Sequence, residues 1–188
     1  MRIKILFLLL LSFLYLFADE FHVDKSSDNR VIFISQAPLE SFEGRTNHVD
    51  GYIYWEGDKL TGNSQIYMEV DLNSLDTGIG LRNRHMRENY LETQKWPKTW
   101  FKGKIIEVNS TDNDSVMVKV EGTIFIHGVE KPLTTEGTLL LDQNQLSMNT
   151  AFEVKLSDFN IKIPKIMFLK LDEVIKLHLN VTFKKIEE

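Results

Sequence analysis

Cysteine is absent from this chain of 188 residues, and proline and glycine are scarce, with four and ten residues respectively. Without cysteine the chain forms no disulfide and cannot carry the cysteine-linked lipid of bacterial lipoproteins. No glycine- or proline-rich linker divides the sequence, and no internal repeat is visible. We therefore expect one domain that is held together by side-chain packing.

Long apolar runs are lacking except at the start of the chain. Arg2 and Lys4 precede an almost unbroken apolar stretch, Ile5–Phe17, and Ala18 is followed by acidic residues. This pattern predicts a secretory signal peptide with cleavage after Ala18, because the apolar stretch is short for a membrane span. An uncleaved N-terminal anchor is the alternative, since Leu16 is larger than the residue usual at that distance from a cleavage site.

An excess of positive charge is lacking as well. Residues 1–18, the predicted signal peptide, contain two basic and no acidic residues, so the domain of residues 19–188 carries 20 Lys and Arg against 27 Asp and Glu, a net charge of −7. Nucleic-acid binding needs a concentrated positive field, so no nucleic-acid partner is expected. We expect no stable membrane span after signal cleavage, and a homodimer stays open as an assembly state.

What the sequence does have is an alternation of apolar and polar residues with a period of two. In Gln65–Leu72 and again in Val174–Lys185, the apolar residues fall on one face and the polar residues on the other. The stretches 31–35, 51–56, 116–126 and 146–154 alternate in the same way. Short turn-forming segments separate these stretches. The pattern predicts an all-β fold, a single antiparallel barrel or sandwich of half-buried strands.

One polar segment, Thr77–Leu91, interrupts the alternation and is rich in arginine. Its spacing predicts a short helix over about residues 83–91 with Asn83 as the N-cap. One face would carry Arg82, His85, Met86, Asn89 and Tyr90, and the opposite face Arg84, Arg87, Glu88 and Leu91. Two interpretations are open: the cations pair with the protein's own carboxylates, or Arg82 and His85 face the polar head of a ligand at a barrel mouth.

Motifs for catalysis and metal binding are lacking. The histidines, which are His22, His48, His85, His127 and His178, lie far apart with no HxH or HExxH spacing, so no metal and no cofactor is expected. The chain has no GxSxG nucleophile elbow and no thiol. Acidic residues are plentiful, but no pair stands out as the acid and base of a glycosidase. We therefore expect a protein that is not an enzyme.

A second unusual segment, Phe159–Leu171, is apolar and rich in lysine, with Pro164 near its centre. Proline is confined to sheet edges and crossovers, which favours an irregular edge strand here. The alternative is an apolar rim in which Met167 and Phe168 contact a lipid-like ligand. The sequence pattern leaves both interpretations open.

Several motifs together resemble the signature of the YceI-like family. The motifs are Thr77-Gly78, Arg82-Asn83, His85-Met86-Arg87, Trp96-Pro97 and Phe101, then "GTIFIHGVEKPLT" at 122–134, "LSDFNI" at 156–161 and "DEVIKLHL" at 172–179. The stretch "LSDFNI" is similar to the family's "RSDFGI" motif, and "DEVIKLHL" is similar to its final strand. The motifs occur in the family's order and span nearly all of the domain.

The resemblance implies a lipocalin-like antiparallel β-barrel that is exported in bacteria, to the periplasm or the medium. It also implies that the barrel holds a polyisoprenoid or another long-chain amphiphile, for transport, storage or a stress-related role. The chain departs from the family pattern at Asn83, which replaces an aspartate, at Leu156, which replaces an arginine, and at Asn160, which replaces a glycine. These departures bear on the head-group contacts of the ligand more than on the fold.

The same resemblance implies a hollow barrel whose apolar side chains line a cavity. The expected cavity residues are Phe33, Phe42, Trp55, Ile66, Met68, Val70, Leu72, Met86, Tyr90, Phe101, Phe152, Met167 and Phe168. The expected head-group contacts are Arg82, His85 and Arg87. Two other hypotheses are an enzyme that acts on a lipid or sugar at the mouth, and a protein-interaction barrel with a filled core.

Overall fold

The chain folds as an antiparallel barrel with a short helical segment. The computed structural model describes residues 18–36, 41–57, 59–61, 63–110, 115–142, 144–163, 165–166 and 169–186. The predicted signal peptide therefore lies, but for Ala18, outside the described residues. The strands are β1 (Ala18–Val23), β2 (Arg30–Ser35), β3 (Phe42–Thr46), β4 (Val49–Glu56), β5 (Gln65–Asp71), β6 (Lys98–Ser110), β7 (Ser115–Ile126), β8 (Val129–Asp142), β9 (Gln145–Lys155), β10 (Lys165–Ile166), β11 (Leu169–Lys170) and β12 (Val174–Lys185).

The barrel closes through β1. Strands β4, β5, β6, β7, β8, β9 and β12 pair in this order, and β1 pairs with both β12 and β4. Strand β2 continues β1 along the same edge of β12, and β3 pairs with β2 as β4 pairs with β1. Strands β1 and β2 together occupy one position in the barrel wall, and β3 and β4 together occupy the next. The barrel therefore has eight strand positions. The prediction of a single antiparallel barrel is confirmed.

The period-two alternation decides which side chains face the interior. In β5, Ile66, Met68 and Val70 are buried, whereas Gln65 is exposed and Glu69 is half-buried. Successive side chains of a strand point to opposite faces, so the apolar set lies inside the barrel. The facing predicted for this strand is confirmed.

The interior is filled in one half and hollow in the other. The packed half contains Phe21, Ile53, Trp55, Ile66, Ile105, Leu139, Leu146, Val181 and Phe183, all buried in one cluster. Phe21 and Trp55 stack there with ring centroids 5.3 Å apart. Trp55 and Ile66 were expected to line the cavity, but the structure places both in the packed half. Both residues face inward, but the level at which they lie along the barrel axis depends on strand register, which periodicity does not encode.

The polar segment crosses the open end as a helix, α1 (Gly80–His85), followed by a π-helical turn, Met86–Tyr90. The helix begins before the predicted start at Asn83, and Ile79 occupies the N-cap position. Leu91 N–H donates to the carbonyl of Met86, five residues back. This turn is wider than an α-helical turn and so rotates the residues that follow it about the helix axis. Leu91 therefore lines the cavity, although it was predicted to lie on the helix face opposite Arg82 and His85. Among the described residues, no helix has the length and apolar character needed to cross a membrane.

Strands β8 and β9 diverge on the side of the open end. They pair only between Gly137–Asp142 and Gln145–Thr150. The first half of β8 stays paired with β7, and the last part of β9 stays paired with β12. Pro132 lies in the half of β8 that does not pair with β9, so its missing N–H removes no hydrogen bond between these two strands. The barrel wall therefore has a fork, closed by residues that follow β9.

Candidate functional site

The hollow half of the barrel is an apolar cavity of about 440 Å³. This volume lies in the range of ligand sites, roughly 300–1,000 Å³. Its wall consists of Val31, Phe33, Ser35, Phe42, Met68, Val70, Leu72, Leu75, Ile79, Leu81, Arg82, His85, Met86, Tyr90, Leu91, Thr99, Trp100, Phe101, Ile124, Ile126, Phe152, Val154, Leu156, Phe159, Ile161, Leu171, Ile175, Leu177 and Leu179. Within the part of the chain that the structure describes, no acidic side chain belongs to this wall.

The floor of the cavity is set by Met68 and Phe101, which also pack against the packed half. Gly103 and Gly122 lie opposite each other on β6 and β7, and the Phe101 ring covers both. A Cβ added at Gly103 or Gly122 would meet Phe101 Cζ at 2.5 or 2.6 Å. The paired glycines therefore make room for the ring that separates the cavity from the core.

A similar close approach shapes the side wall. The Phe33 ring lies over Gly44, where an added Cβ would meet Phe33 Cε1 at 2.2 Å. Phe42 meets Phe33 edge to face, with ring centroids 6.1 Å apart. These aromatic rings supply apolar wall without any group that needs a hydrogen bond.

Arg82 of α1 connects the helical segment to this aromatic wall. Its guanidinium carbon lies 4.3 Å from the centre of the Phe42 ring. Its Nε donates to Thr77 Oγ1 at 2.9 Å, and its Nη2 donates to the Thr77 carbonyl at 2.7 Å. The cation is therefore held in one position by the protein itself, and no partner of its Nη1 group, a further donor, lies among the described residues.

Asn83 is buried behind Arg82 and organises the same turn. Its Oδ1 accepts from the N–H of Thr77 at 2.8 Å and from Thr77 Oγ1 at 2.6 Å. Its Nδ2 donates to Asp76 Oδ1 at 2.7 Å. This hydrogen bond, and a second from the N–H of Gly78, hold the pKa of Asp76 below its ordinary value. The predicted role of Asn83 as an N-cap is wrong, because its side chain bonds the preceding loop instead of the first helical turn.

The helical segment is attached to the barrel at its base. Arg45 of β3 and Asp76 exchange two backbone hydrogen bonds of 2.9 Å. Next to them, Thr46 Oγ1 and Ser74 Oγ are 2.6 Å apart. The segment therefore leaves the barrel from a fixed point and covers part of the opening.

His85 and Arg87 differ in what they face. His85 is exposed at the cavity rim, and no bonded partner of its ring lies among the described residues. Arg87 lies outside the cavity wall, and its Nη1 donates to the Asn73 carbonyl at 3.3 Å. The structure thus brings Arg82 and His85 to the cavity, as the sequence predicts, and turns Arg87 away from it.

Ser35 is one of the polar side chains of the wall that sequence reasoning missed. It ends β2, is 2% exposed, and its hydroxyl has no hydrogen-bond partner in the described structure. A buried hydroxyl without a partner carries a desolvation cost of about 1–3 kcal/mol. A strand pattern marks this position as inward-facing, but it does not show that the hydroxyl faces a cavity.

The residues after β9 fill the fork in the wall. Phe159 and Ile161 are buried against Ile124 of β7. His127, in the tight turn between β7 and β8, donates from Nδ1 to the Phe159 carbonyl at 3.0 Å. Asn160 adopts a positive φ of 56° where the family pattern has glycine, and asparagine tolerates this conformation better than most residues.

The same stretch shows what another departure from the family pattern does. Leu156, which replaces an arginine, contributes an apolar side chain to the cavity wall. Leu171, at the far end of the lysine-rich segment, also lines the cavity. Met167 and Phe168, predicted to contact a ligand, lie outside the described residues. The two described ends of the segment therefore line the cavity, and the contacts of its middle part stay a prediction.

A second cleft lies outside the fork. It is lined by Ile124, Lys131, Pro132, Leu133, Glu153, Val154, Lys155, Asp158, Phe159 and Val174. Ile124, Val154 and Phe159 also belong to the main cavity wall. Phe159, which is 4% exposed, thus stands between the cavity and the outside of the barrel at the fork.

The structure brings together most of the predicted cavity residues. Those in the wall are Phe33, Phe42, Met68, Val70, Leu72, Met86, Tyr90, Phe101 and Phe152. Some of the wall residues that sequence reasoning missed lie in strands, such as Ile124 and Leu177, where the alternation does not show how deep a residue lies. Others lie between strands, such as Leu75, Ile79 and Phe159, and residues there follow no period.

Relatives of the chain share both its sequence and its architecture. Proteins named UPF0312 are 28% identical over 153 residues in Yersinia pestis, covering 77% of each chain, and 26% identical over 155 residues in Pseudomonas paraeruginosa, covering 78% of each. BcnA of Burkholderia cenocepacia has a TM-score of 0.71 at 15% identity, covering 85% of this chain and 98% of BcnA. A polyisoprenoid binding domain from Saccharophagus degradans has a TM-score of 0.66 at 14% identity, covering 88% and 97%.

At identities this low, the solved structures show only that the fold is shared. The sequence evidence goes further, because the model of the YceI-like domain matches residues 21–183. This range contains the barrel from β1 to β12, the helical segment and the residues that close the fork. The chain therefore belongs to the YceI-like family.

Proposed function

We propose that this chain is an exported bacterial protein that holds a polyisoprenoid or another long-chain amphiphile in its barrel cavity. The observation that carries the proposal is the cavity itself, whose wall is apolar except for a few polar side chains, with Arg82 and His85 of the helical segment among them. Each methylene group moved from water into such a wall contributes about 0.8 kcal/mol. The solved structure described as a polyisoprenoid binding domain supports the same class of ligand.

The polar end of the ligand is assigned to the rim beneath α1. His85 has an exposed ring there, and the Arg82 guanidinium is already fixed in position, with no described residue bonded to its Nη1 group. A fixed donor loses little conformational entropy when it binds a polar group. Arg87 is left out of the assignment because it contacts Asn73 outside the wall.

Binding is favoured over catalysis by the chemistry of the wall. Acid–base catalysis on a lipid or sugar needs a second ionisable group placed close to the reacting atoms. The described wall offers Arg82, His85 and Tyr90 as ionisable groups and no carboxylate. A protein-interaction barrel with a filled core is disfavoured by the hollow half. Transport, storage and a stress-related role all fit a binding barrel.

Native mass spectrometry of the purified chain tests the proposed ligand. We expect a bound long-chain lipid that survives purification and disappears in Leu177→Trp, which fills the cavity from β12. His178→Trp places the same side chain on the outer face of the next residue and should keep the lipid. A wild-type protein that carries no lipid and takes up none of a polyprenol, a polyprenyl phosphate or a fatty acid contradicts the proposal.

Export is tested at the N-terminus. If the signal peptide is removed after Ala18, sequencing of the protein from the periplasm or the medium begins at Asp19. Retention of Met1 in a membrane fraction contradicts cleavage and supports the anchor instead.

A further inference from the structure

The rim of the cavity carries large apolar side chains that the protein does not cover. Ile79 and Leu81 are 51% and 55% exposed, the two highest values among the exposed large hydrophobic residues of the described chain. Both also belong to the cavity wall. The other exposed large hydrophobics, Leu140 among them, do not belong to the wall. Apolar side chains that protrude around an opening mark a surface that contacts another apolar phase.

The charge of the rim segments is opposite to that of the protein. The segment 79–91 carries Arg82, Arg84 and Arg87 against Glu88. The described residues 159–163 add Lys162, which is exposed and follows Ile161 of the cavity wall, and they contain no acidic residue. The chain as a whole has a net charge of −5. The described residues 79–91 and 159–163 beside the opening thus carry more cations than anions.

One carboxylate at the base of the helical segment offsets part of this charge. Asp76, which accepts hydrogen bonds from Asn83 and from the N–H of Gly78, lies near enough to Arg45 and Arg87 to attract them. Arg84 is exposed and has no bonded partner within the described part of the chain. The rim therefore combines free cations with protruding apolar side chains, the composition of a surface that binds at a lipid–water interface.

We propose that the rim docks on an anionic phospholipid bilayer. Ile79 and Leu81 enter the boundary between head groups and acyl chains, while Arg84 and Lys162 face lipid phosphates. In this orientation the cavity opens directly onto the bilayer, so an apolar ligand moves between the two without crossing water. Docking needs only the rim; the transfer of a ligand rests on the proposed function.

The test is sedimentation of the full chain with vesicles of phosphatidylcholine, with and without phosphatidylglycerol. We expect binding to the anionic vesicles that weakens with added salt. Removal of a cation near an anionic surface costs about fivefold in affinity, so Arg84→Gln is expected to bind about fivefold more weakly. Leu81→Asp should reduce binding at least about tenfold with no change in melting temperature, because the side chain is exposed.

Matched controls come from the packed half of the barrel. Leu140→Asp changes a leucine that is 47% exposed, and Lys104→Gln removes an exposed cation of β6. Both should bind vesicles as the wild type does. Equal losses in the controls, or equal binding to neutral and anionic vesicles, overturn the proposal.

The fate of the ligand separates this inference from the proposed function. Arg84→Gln should keep the wild-type affinity for a soluble fatty acid, because Arg84 is outside the cavity wall. If the protein binds the fatty acid but not the anionic vesicles, the docking inference is wrong and the proposed function stands. A protein that docks but never takes up a lipid leaves docking intact and removes the proposed function.

Discussion

Arg82 shows how one residue can be placed at a ligand site and still serve the fold. Its contacts with Thr77 and with the Phe42 ring join the helical segment to the barrel wall. Hydrogen bonds of this kind contribute about 0.5–1.5 kcal/mol each, and a cation–π contact about 0.5–1 kcal/mol at an exposed site. The structural share of the residue is therefore large enough to measure.

We predict that Arg82→Ala lowers the stability by about 1–3 kcal/mol and weakens a phosphorylated lipid more than a neutral lipid of equal chain length. The reason is that the variant loosens the helical segment over the opening and also removes a charged donor from the proposed head-group site. Thermal melts and paired affinity measurements check this. Arg84→Ala is the control, and its effect should stay within about 0.5 kcal/mol, as for other exposed residues. Equal losses for the two lipids would mean that Arg82 serves the fold alone.

Asn83 explains why this chain departs from the family's aspartate. Its amide both accepts from Thr77 and donates to Asp76, and a carboxylate cannot donate. An aspartate in its place would face Asp76 with like charge. The asparagine and Asp76 therefore fit each other, and the substitution is structural.

We predict that Asn83→Asp lowers the melting temperature by several degrees at about pH 7 and that the deficit shrinks towards about pH 4. The two carboxylates together bind a proton more tightly in the folded state than in the unfolded state, so the variant loses stability as the pH rises. The wild type behaves in the opposite way. Its Asp76 has a lowered pKa, so the stability that Asp76 contributes is present above the unfolded-state pKa and is lost on acidification.

Melting curves across this pH range, compared with those of Asn89→Asp, provide the check. Asn89 is exposed and follows α1, so its substitution adds the same charge without facing Asp76. An equal deficit in both variants would mean that net charge, and not the contact with Asp76, causes the effect.

At the scale of elements, the fork between β8 and β9 is the weakest part of the barrel wall. Where two strands of a closed barrel do not pair, other groups must exclude water. Here Phe159 does so, and the hydrogen bond from His127 to its carbonyl fixes the turn that carries it. The side chain therefore acts as a plug in the wall as well as a core residue.

We predict that Phe159→Ala costs about 3–5 kcal/mol of stability and also speeds the exchange of a bound lipid, because the cavity then opens sideways into the cleft. Phe183→Ala, in the packed half, removes the same ring from a fully buried position. It should cost a similar amount of stability and leave the lipid exchange rate unchanged. Stopped-flow transfer of a fluorescent fatty acid measures the rate, and equal rates for both variants would contradict the plug.

The elements also show which features the sequence could predict. The alternation in β5 placed Met68 and Val70 inside correctly, since the period of a strand is exact. It could not separate Met68, which lines the cavity, from Ile66, which is packed, because the depth of a residue depends on pairing between distant strands. The start of α1 was misplaced because Asn83, a frequent N-cap, bonds the preceding loop. Phe159 was missed as a wall residue because the fork leaves no mark in a local pattern.

At the scale of the whole molecule, the barrel is a pocket with a floor and not a channel. Met68 and Phe101 end the cavity against the packed half. A chain that enters from the rim therefore gains contacts only until it reaches this floor. Any further length must fold back or remain outside.

We predict that affinity for saturated fatty acids rises about fourfold per added methylene and then levels off at a chain length set by the floor. Met68→Ala should move this plateau to longer chains, because it deepens the cavity. Ile66→Ala removes apolar volume from a residue outside the cavity wall and should leave the plateau in place. Titration of a homologous series against the three proteins checks this, and an unchanged plateau in Met68→Ala would place the floor elsewhere.

Both ends of the folded domain lie at the packed half. Ala18 pairs with Glu56, and Lys185 pairs with Phe21, far from the rim that Ile79 and Leu81 form. A tether at either end of the chain thus points the opening away from the surface to which the tether is fixed. If the N-terminal segment were retained as an anchor, the opening would face the opposite side of the compartment. A released domain could turn its rim to either boundary, so cleavage after Ala18 would determine which membranes the rim can reach.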